Sequence, residues 1–288
     1  MAVVLKTKQH DLGGLTVKRF LPNPEYKMVG PFIFFDHFGP AQFEGGQGVN
    51  VRPHPHIGLS TLTYLFEGSL LHRDSLGNQS EILPGDVNWM TAGKGIVHSE
   101  RESLEVRANP HSLNGLQSWV ALPRQYTEIE PAFSHVKKEN LPIYLFEDVM
   151  ARIVVGEAYG YSAPVKTYSA MFYVDVVAGV GSQVYRPNLD LIHQQDTAVY
   201  IINGEVSIRE QSFEAGDFIL LEADDHAIDF ITNGRVVILG GDKFSQAPLI
   251  EWNFVSFDKD LIEQAKEDWK AGRFPDIPGD DKEFIPLD

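Results

Sequence analysis

The chain has no cysteine among its 288 residues. Disulfides and thiolate metal sites are therefore excluded, and any metal must be held by imidazole and carboxylate. Long apolar runs are missing as well. The opening run, Ala2 to Leu5, stops at Lys6, too short for the core of a signal peptide, and no later segment approaches a membrane span. A cytoplasmic location and no membrane partner are the expectation. Positive charge is scarce: 24 Lys and Arg stand against 40 Asp and Glu, a net charge of −16. Such a surface repels phosphate backbones, and the densest basic pair is only Lys137-Lys138, so direct nucleic-acid binding is not expected. Helical periodicity is rare too. It is confined to "SFDKDLIEQAKEDWKAGRF", where Leu261, Ile262, Ala265 and Trp269 share a face, Ser256 or Asp258 can cap the start and Gly272 can end it.

What remains is mostly strand. Short β-branched and aromatic runs such as "SAMFYVDVVAG", "TAVYIINGEVSIRE" and "GRVVILGG" are broken by Gly, Pro, Asn or Asp. With 43% hydrophobic and 22% charged residues, this is an ordinary globular composition, and the turn-bounded strands predict β-sandwiches or barrels.

The chain also repeats itself. "TLTYLFEGSL" (61–70) matches "TAVYIINGEV" (197–206), aligning Tyr64 with Tyr200 and Gly68 with Gly204. "ILPGDVNWMTAG" (82–93) matches "FEAGDFILLEAD" (213–224), aligning Gly85-Asp86 with Gly216-Asp217. Two copies of one β-unit follow, with a linker expected in 121–133. The domains are placed at 1–130 and 131–288, the second including the C-terminal helix.

The first copy carries "RPHPHIGLSTLTYLFEG" (52–68), with His54 and His56 one residue apart. A strand alternates faces, so both imidazoles point to one side. "TAGKGIVHSE" ends in His98 and Glu100 at the same spacing. An HxH taken alone is more often incidental than a ligand pair. Two neighbouring strands that each offer a pair, however, gather three imidazoles and a carboxylate around one point. That donor set suits Fe, Mn, Ni, Cu, Co or Zn and leaves open positions on an octahedral ion. His37 either lines the same cavity or sits in a surface turn. His72, in "LHRDSLGN", is expected to face solvent, and Lys94 either sits near the pocket mouth or, the favoured reading, is an exposed loop lysine. In the second copy the positions matching His54 and His56 are Asp190 and Ile192. His193 is out of register and His226 stands alone, so that half reads as a partner without a site.

"FFDHFGP", "RPHPHIGLSTLTYLFEG", "LPGDVNWMTAGKGIVHSE", "GLQSWVALP" and the tail "IEQAKEDWKAGRFPDIPGD" resemble the pirin family of bicupins over essentially the whole chain. The resemblance implies an all-β fold of two tandem cupin-type β-barrel (jelly-roll) domains with a short C-terminal helix. It also implies one N-terminal iron site, Fe(II) or Fe(III), whose ligands fall on His54, His56, His98 and Glu100. Many relatives carry an acidic residue where this chain has Ser60.

Two functions follow from the resemblance. One is a dioxygenase of the quercetinase type, opening a flavonol with O₂ and releasing carbon monoxide, with Glu100 as catalytic base as well as ligand. Phe32, Phe34, Phe35, Phe38 and Phe43 would approach the site or fill the core. The other is a non-enzymatic, metal- or redox-dependent regulator that binds a transcription factor or metabolic enzyme through a basic patch on that partner.

Overall fold

Each half of the chain is organised by the same turn. In the first copy Gly85 donates its N–H to the Leu65 carbonyl, and in the second Gly216 donates to Ile201. Both glycines sit at positive φ, 87° and 96°. The following aspartates close the turn with their side chains, Asp86 accepting from the Leu83 N–H and Asp217 from Glu214. Tyr64 and Tyr200 are both buried in strands of nine residues, Leu59–Glu67 and Gln195–Asn203. The repeat read in the sequence is thus a repeated piece of backbone geometry. The computed structural model describes residues 2–11, 15–187 and 195–287.

The first unit comprises Lys8–Arg19, Ile33–Lys138 and Gln246–Asp288. Its larger sheet has seven strands in the order Ala132–Val136, Val87–Thr91, Leu59–Glu67, His111–Ala121, Phe32–Phe43, Thr16–Leu21, Lys8–Asp11. The smaller runs Asn50–His56, Ile96–Arg101, Leu70–Asp74, Gln79–Ile82. Asn50–His56 is an edge strand, which suits Pro53 and Pro55 because neither can donate to a ladder.

The second unit comprises Met1–Thr7, Phe20–Phe32 and Glu139–Ser245. Its larger sheet follows the order Val3–Val4, Phe218–Leu220, Gln195–Asn203, Gly234–Asp242, Met171–Ala178, Val149–Ala158, Ile143–Phe146, with Tyr161–Ser162 paired to Val149–Ala158. Four short strands form the other sheet. Val, Ile and Phe side chains, among them Ile153, Phe172, Val199 and Ile238, fill the space between. This is an apolar core of the kind that two β-sheets bury face to face.

These units differ from a single cut at 130. The stretch 121–133, expected as a linker, holds a 3-10 turn at Arg124–Tyr126 and enters the strand Ala132–Val136, which pairs with Val87–Thr91. The alternation of "AFSHV" lets that segment close the sheet edge. The C-terminal segment also belongs with the histidines. Helix Lys259–Lys270 is capped by Asp258, whose side chain accepts from the Asp260 N–H. It buries Ile262 and Ala265 in a cluster with Ile57 and Phe254, and Gly272 follows at φ 65°. Among the described residues, no helix is long and apolar enough to cross a membrane.

Candidate metal centre

Strands Asn50–His56 and Ile96–Arg101 run antiparallel, with His98 opposite His54 and Ile96 opposite His56. All three histidine side chains leave the sheet on one face, as the i, i+2 spacing requires. Their ligand nitrogens lie within 4.8 Å of one another, and this is the one such group of three or more candidate ligands among the described residues.

Hydrogen bonds fix which nitrogens are available. A carbonyl oxygen only accepts, so His54 Nδ1–H donates to the Arg52 carbonyl at 2.9 Å and His56 Nδ1–H to the Asn253 carbonyl at 3.1 Å. In both rings the lone pair is left on Nε2. Burial lowers the pKa of all three imidazoles, that of His54 to about 4 and those of His56 and His98 well below their ordinary value. They are neutral near pH 7, the form that binds a cation.

The His56 and His98 Nε2 atoms then face each other at 3.1 Å. Two nitrogens held at right angles about one ion, at ~2.1 Å each, stand about 3.0 Å apart. His98 Nδ1, meanwhile, is buried without a hydrogen-bond partner. The residues present therefore fit a first-row metal ion.

Glu100 stands one step along the same strand and outside that group of three. Between His98 and Glu100 the ladder shifts register, so that Glu100 faces Val51. Burial raises its carboxyl pKa, and the Thr63 hydroxyl, donating to Oε1 at 2.8 Å, offsets part of that. Thr63 Oγ1 also lies 2.9 Å from the Gln117 amide. The Thr63 hydroxyl thus sits between the Glu100 carboxyl and the Gln117 amide oxygen and links the two.

Several neighbours were not foreseen. Trp119 sets its ring edge-on to His56 at 5.1 Å, and Phe34 stacks on Trp119 at 4.1 Å. Arg19 lies over Phe34 and pairs with Asp36. His72, expected in solvent, is 3% exposed. Its Nε2 meets Asp74 at 3.1 Å and its ring stacks on Phe133. The polar letters around it misled, because the excursion folds into the hairpin Leu70–Asp74 and Gln79–Ile82 and turns His72 inward. His37 is likewise no surface turn residue: it is buried, bonded to Asn114 and packed edge-on to Phe66. Lys94 is exposed, as expected of a loop lysine, and it pairs with Glu130. Phe32, Phe34, Phe35, Phe38 and Phe43 are all buried core residues, and Phe34 stacks on Trp119. Ser60 alternates with Thr61 and Thr63 and bonds Thr91 on the other face of its strand. In the second unit His226 is exposed, while Asp190, Ile192 and His193 lie outside the described residues.

The chain is similar to known proteins in sequence and fold. The family pattern described as Pirin matches residues 14–120, and that of the Pirin C-terminal cupin domain matches residues 182–275. A "Pirin-like protein" of Caulobacter vibrioides is 44% identical, over 99% of this chain and 98% of that protein. A crystal structure named quercetin 2,3-dioxygenase, from Acinetobacter baumannii, superposes with a TM-score of 0.88 at 29% identity, covering 100% of this chain and 94% of that one. Bacterial pirin YhhW from Escherichia coli, solved with nickel(II), has a TM-score of 0.68 at 19% identity over 85% of this chain and 100% of its own. With both halves matched and the histidine face formed in the first unit, this chain belongs to the pirin family.

Proposed function

We propose that this pirin-family chain is a metal-dependent dioxygenase of the quercetinase type, acting on a flavonol or a similar oxygen-chelating aromatic. The observation that carries the reading is the trio of buried, neutral imidazoles whose His56 and His98 nitrogens meet at 3.1 Å beside Trp119. The whole-chain likeness to a structure named quercetin 2,3-dioxygenase supports the substrate class.

His54, His56, His98 and Glu100 would hold the ion: iron first, with Mn, Ni, Cu, Co or Zn admitted by the same nitrogen and oxygen donors. When bound, the ion supplies Lewis acidity, redox capacity and open positions for substrate oxygen and O₂. The protein does the rest. Thr63 occupies Glu100 Oε1, which leaves Oε2 to take the proton of the flavonol hydroxyl. Trp119, backed by Phe34 stacked on it, sets an aromatic ring next to His56 against which a planar substrate can lie.

Oxygen uptake on adding quercetin to anaerobically Fe(II)-loaded protein tests the reading, beside a His98→Ala variant. Uptake is expected in the parent and lost in the variant. Uptake in both, or in neither despite one ion bound per chain, overturns it, and the second result favours the metal-bearing regulator.

A further inference from the structure

Strand Ile96–Arg101 has two faces. His98 and Glu100 point to the metal side, so Ser99 and Arg101 point away from it. On that outer side a single carboxylate from the C-terminal segment receives both. Arg101 donates to Asp280 through Nη2 to Oδ1 at 2.8 Å and Nε to Oδ2 at 2.9 Å, and Ser99 Oγ donates to the same Oδ2 at 2.7 Å. Ser99 is fully buried, and the Arg101 and Asp280 side chains are largely so. A bidentate, partly desolvated guanidinium–carboxylate pair is the strong, directional kind.

The clamp grips beside an irregularity in the ladder to Asn50–His56, while toward Leu70–Asp74 the same residues pair in regular register. The register shift lies between His98 and Glu100, opposite Pro53, which has no N–H to lend to the ladder. Across the edge the same C-terminal segment returns. Ile285 N–H donates to the Pro53 carbonyl, Trp269 Nε1–H to the Ile285 carbonyl, and the Asn253 carbonyl receives His56 Nδ1–H. A ligand carboxylate next to an irregular ladder needs its backbone held from behind if it is to meet a metal at bonding distance.

We propose that Asp280 is a positioning residue for the metal centre: by clamping Ser99 and Arg101, it holds the stretch of strand from which the Glu100 side chain would reach toward the three imidazoles. This rests on the reading of Glu100 as the fourth donor, and the C-terminal segment then forms part of the site's framework.

Titration with Co(II) alone tests it, read by competition with a chelator and by the visible absorption of the bound ion. The parent is compared with Asp280→Ala, Glu100→Ala and the double variant, with circular dichroism as a control of the fold. Asp280→Ala is expected to bind about 10–100-fold more weakly, with its Co(II) spectrum moved toward that of Glu100→Ala. Adding Asp280→Ala to Glu100→Ala is expected to cost little more, because both act through one donor. Parent-like affinity and spectrum in Asp280→Ala overturn the proposal, as does an equal loss in both backgrounds, which would mark a general structural effect. Should Asp280→Ala fail to fold, Ser99→Ala takes its place: a smaller loss, absent in the Glu100→Ala background, is required. A parent that takes up no Co(II) overturns the metal reading itself. Undiminished binding by Glu100→Ala overturns Glu100 as donor, and the clamp's purpose with it.

Discussion

His56 and His98 turn their Nε2 atoms toward each other across 3.1 Å, although 42 residues separate them in the chain. The Asn253 carbonyl holds the proton of His56 on Nδ1, so a lone pair faces His98. Neither ring is more than 1% exposed. A shared cation would turn this crowding into binding.

Loading with Fe(II) or Ni(II) should therefore stabilise the first unit. At a free ion concentration of about 100 Kd, linkage supplies about 2.7 kcal/mol, which raises the melting temperature by about 5–10 °C for a unit of this size. His98→Ala should melt at one temperature with or without the ion. Thermal scans with elemental analysis check this, at an expected stoichiometry of one ion per chain. Equal shifts in parent and variant would place the ion elsewhere.

The three imidazoles were legible because strand alternation is a local rule, and HxH followed by HSE states it twice. The repeat was legible for the same reason: Gly85-Asp86 and Gly216-Asp217 encode one turn geometry in a few letters. The supports were not. Asn253 reaches His56 from 197 residues away, and nothing in "EWNFVSF" distinguishes a carbonyl that will accept from an imidazole. His72 was misread because polarity around a hairpin says little about which way its alternate residues turn. The division of the termini between the units was hidden too, since pairing of Val3–Val4 with Phe218–Leu220 is a long-range choice.

Gly58 shows how tightly the centre is built. Its φ is +70°, it bonds Gly93 and Leu122 through its backbone, and a Cβ would fall inside the van der Waals envelope of the Val255 carbonyl oxygen. Val255 in turn donates to Ile57, next to His56. Gly58→Ala combines left-handed strain with a backbone clash, so a loss of about 3 kcal/mol or more is expected in chemical denaturation. A change below about 1 kcal/mol would show that the C-terminal segment yields freely at this point.

Asp74 ties the hairpin behind His98. It is fully buried, and its oxygens accept from the Leu76 and Asn78 N–H groups, the Asn78 amide and His72. Asp74→Ala strands several buried donors at once and should cost about 3 kcal/mol or more. Asp74→Asn, which keeps an acceptor for the turn, should cost less. Equal losses would mean that the charge matters more than the turn.

Thr63 offers the cleanest separation of shape from chemistry. Its hydroxyl bridges the Gln117 amide and Glu100 Oε1, and its methyl group lies in a tightly packed strand. Thr63→Val keeps the shape and removes the proton that Glu100 accepts, leaving a buried carboxylate short of one bond. Thr63→Ser keeps the proton and removes the methyl. Losses of partners this close to a metal ligand are commonly 10–100-fold in affinity or activity. That loss is expected of Thr63→Val in metal uptake or oxygen consumption, with Thr63→Ser within a few-fold of the parent. If Ser fails as badly as Val, packing and not the hydrogen bond is what Thr63 provides. If Val succeeds as well as the parent, the proposed part of Glu100 as donor and base does not rest on this bond.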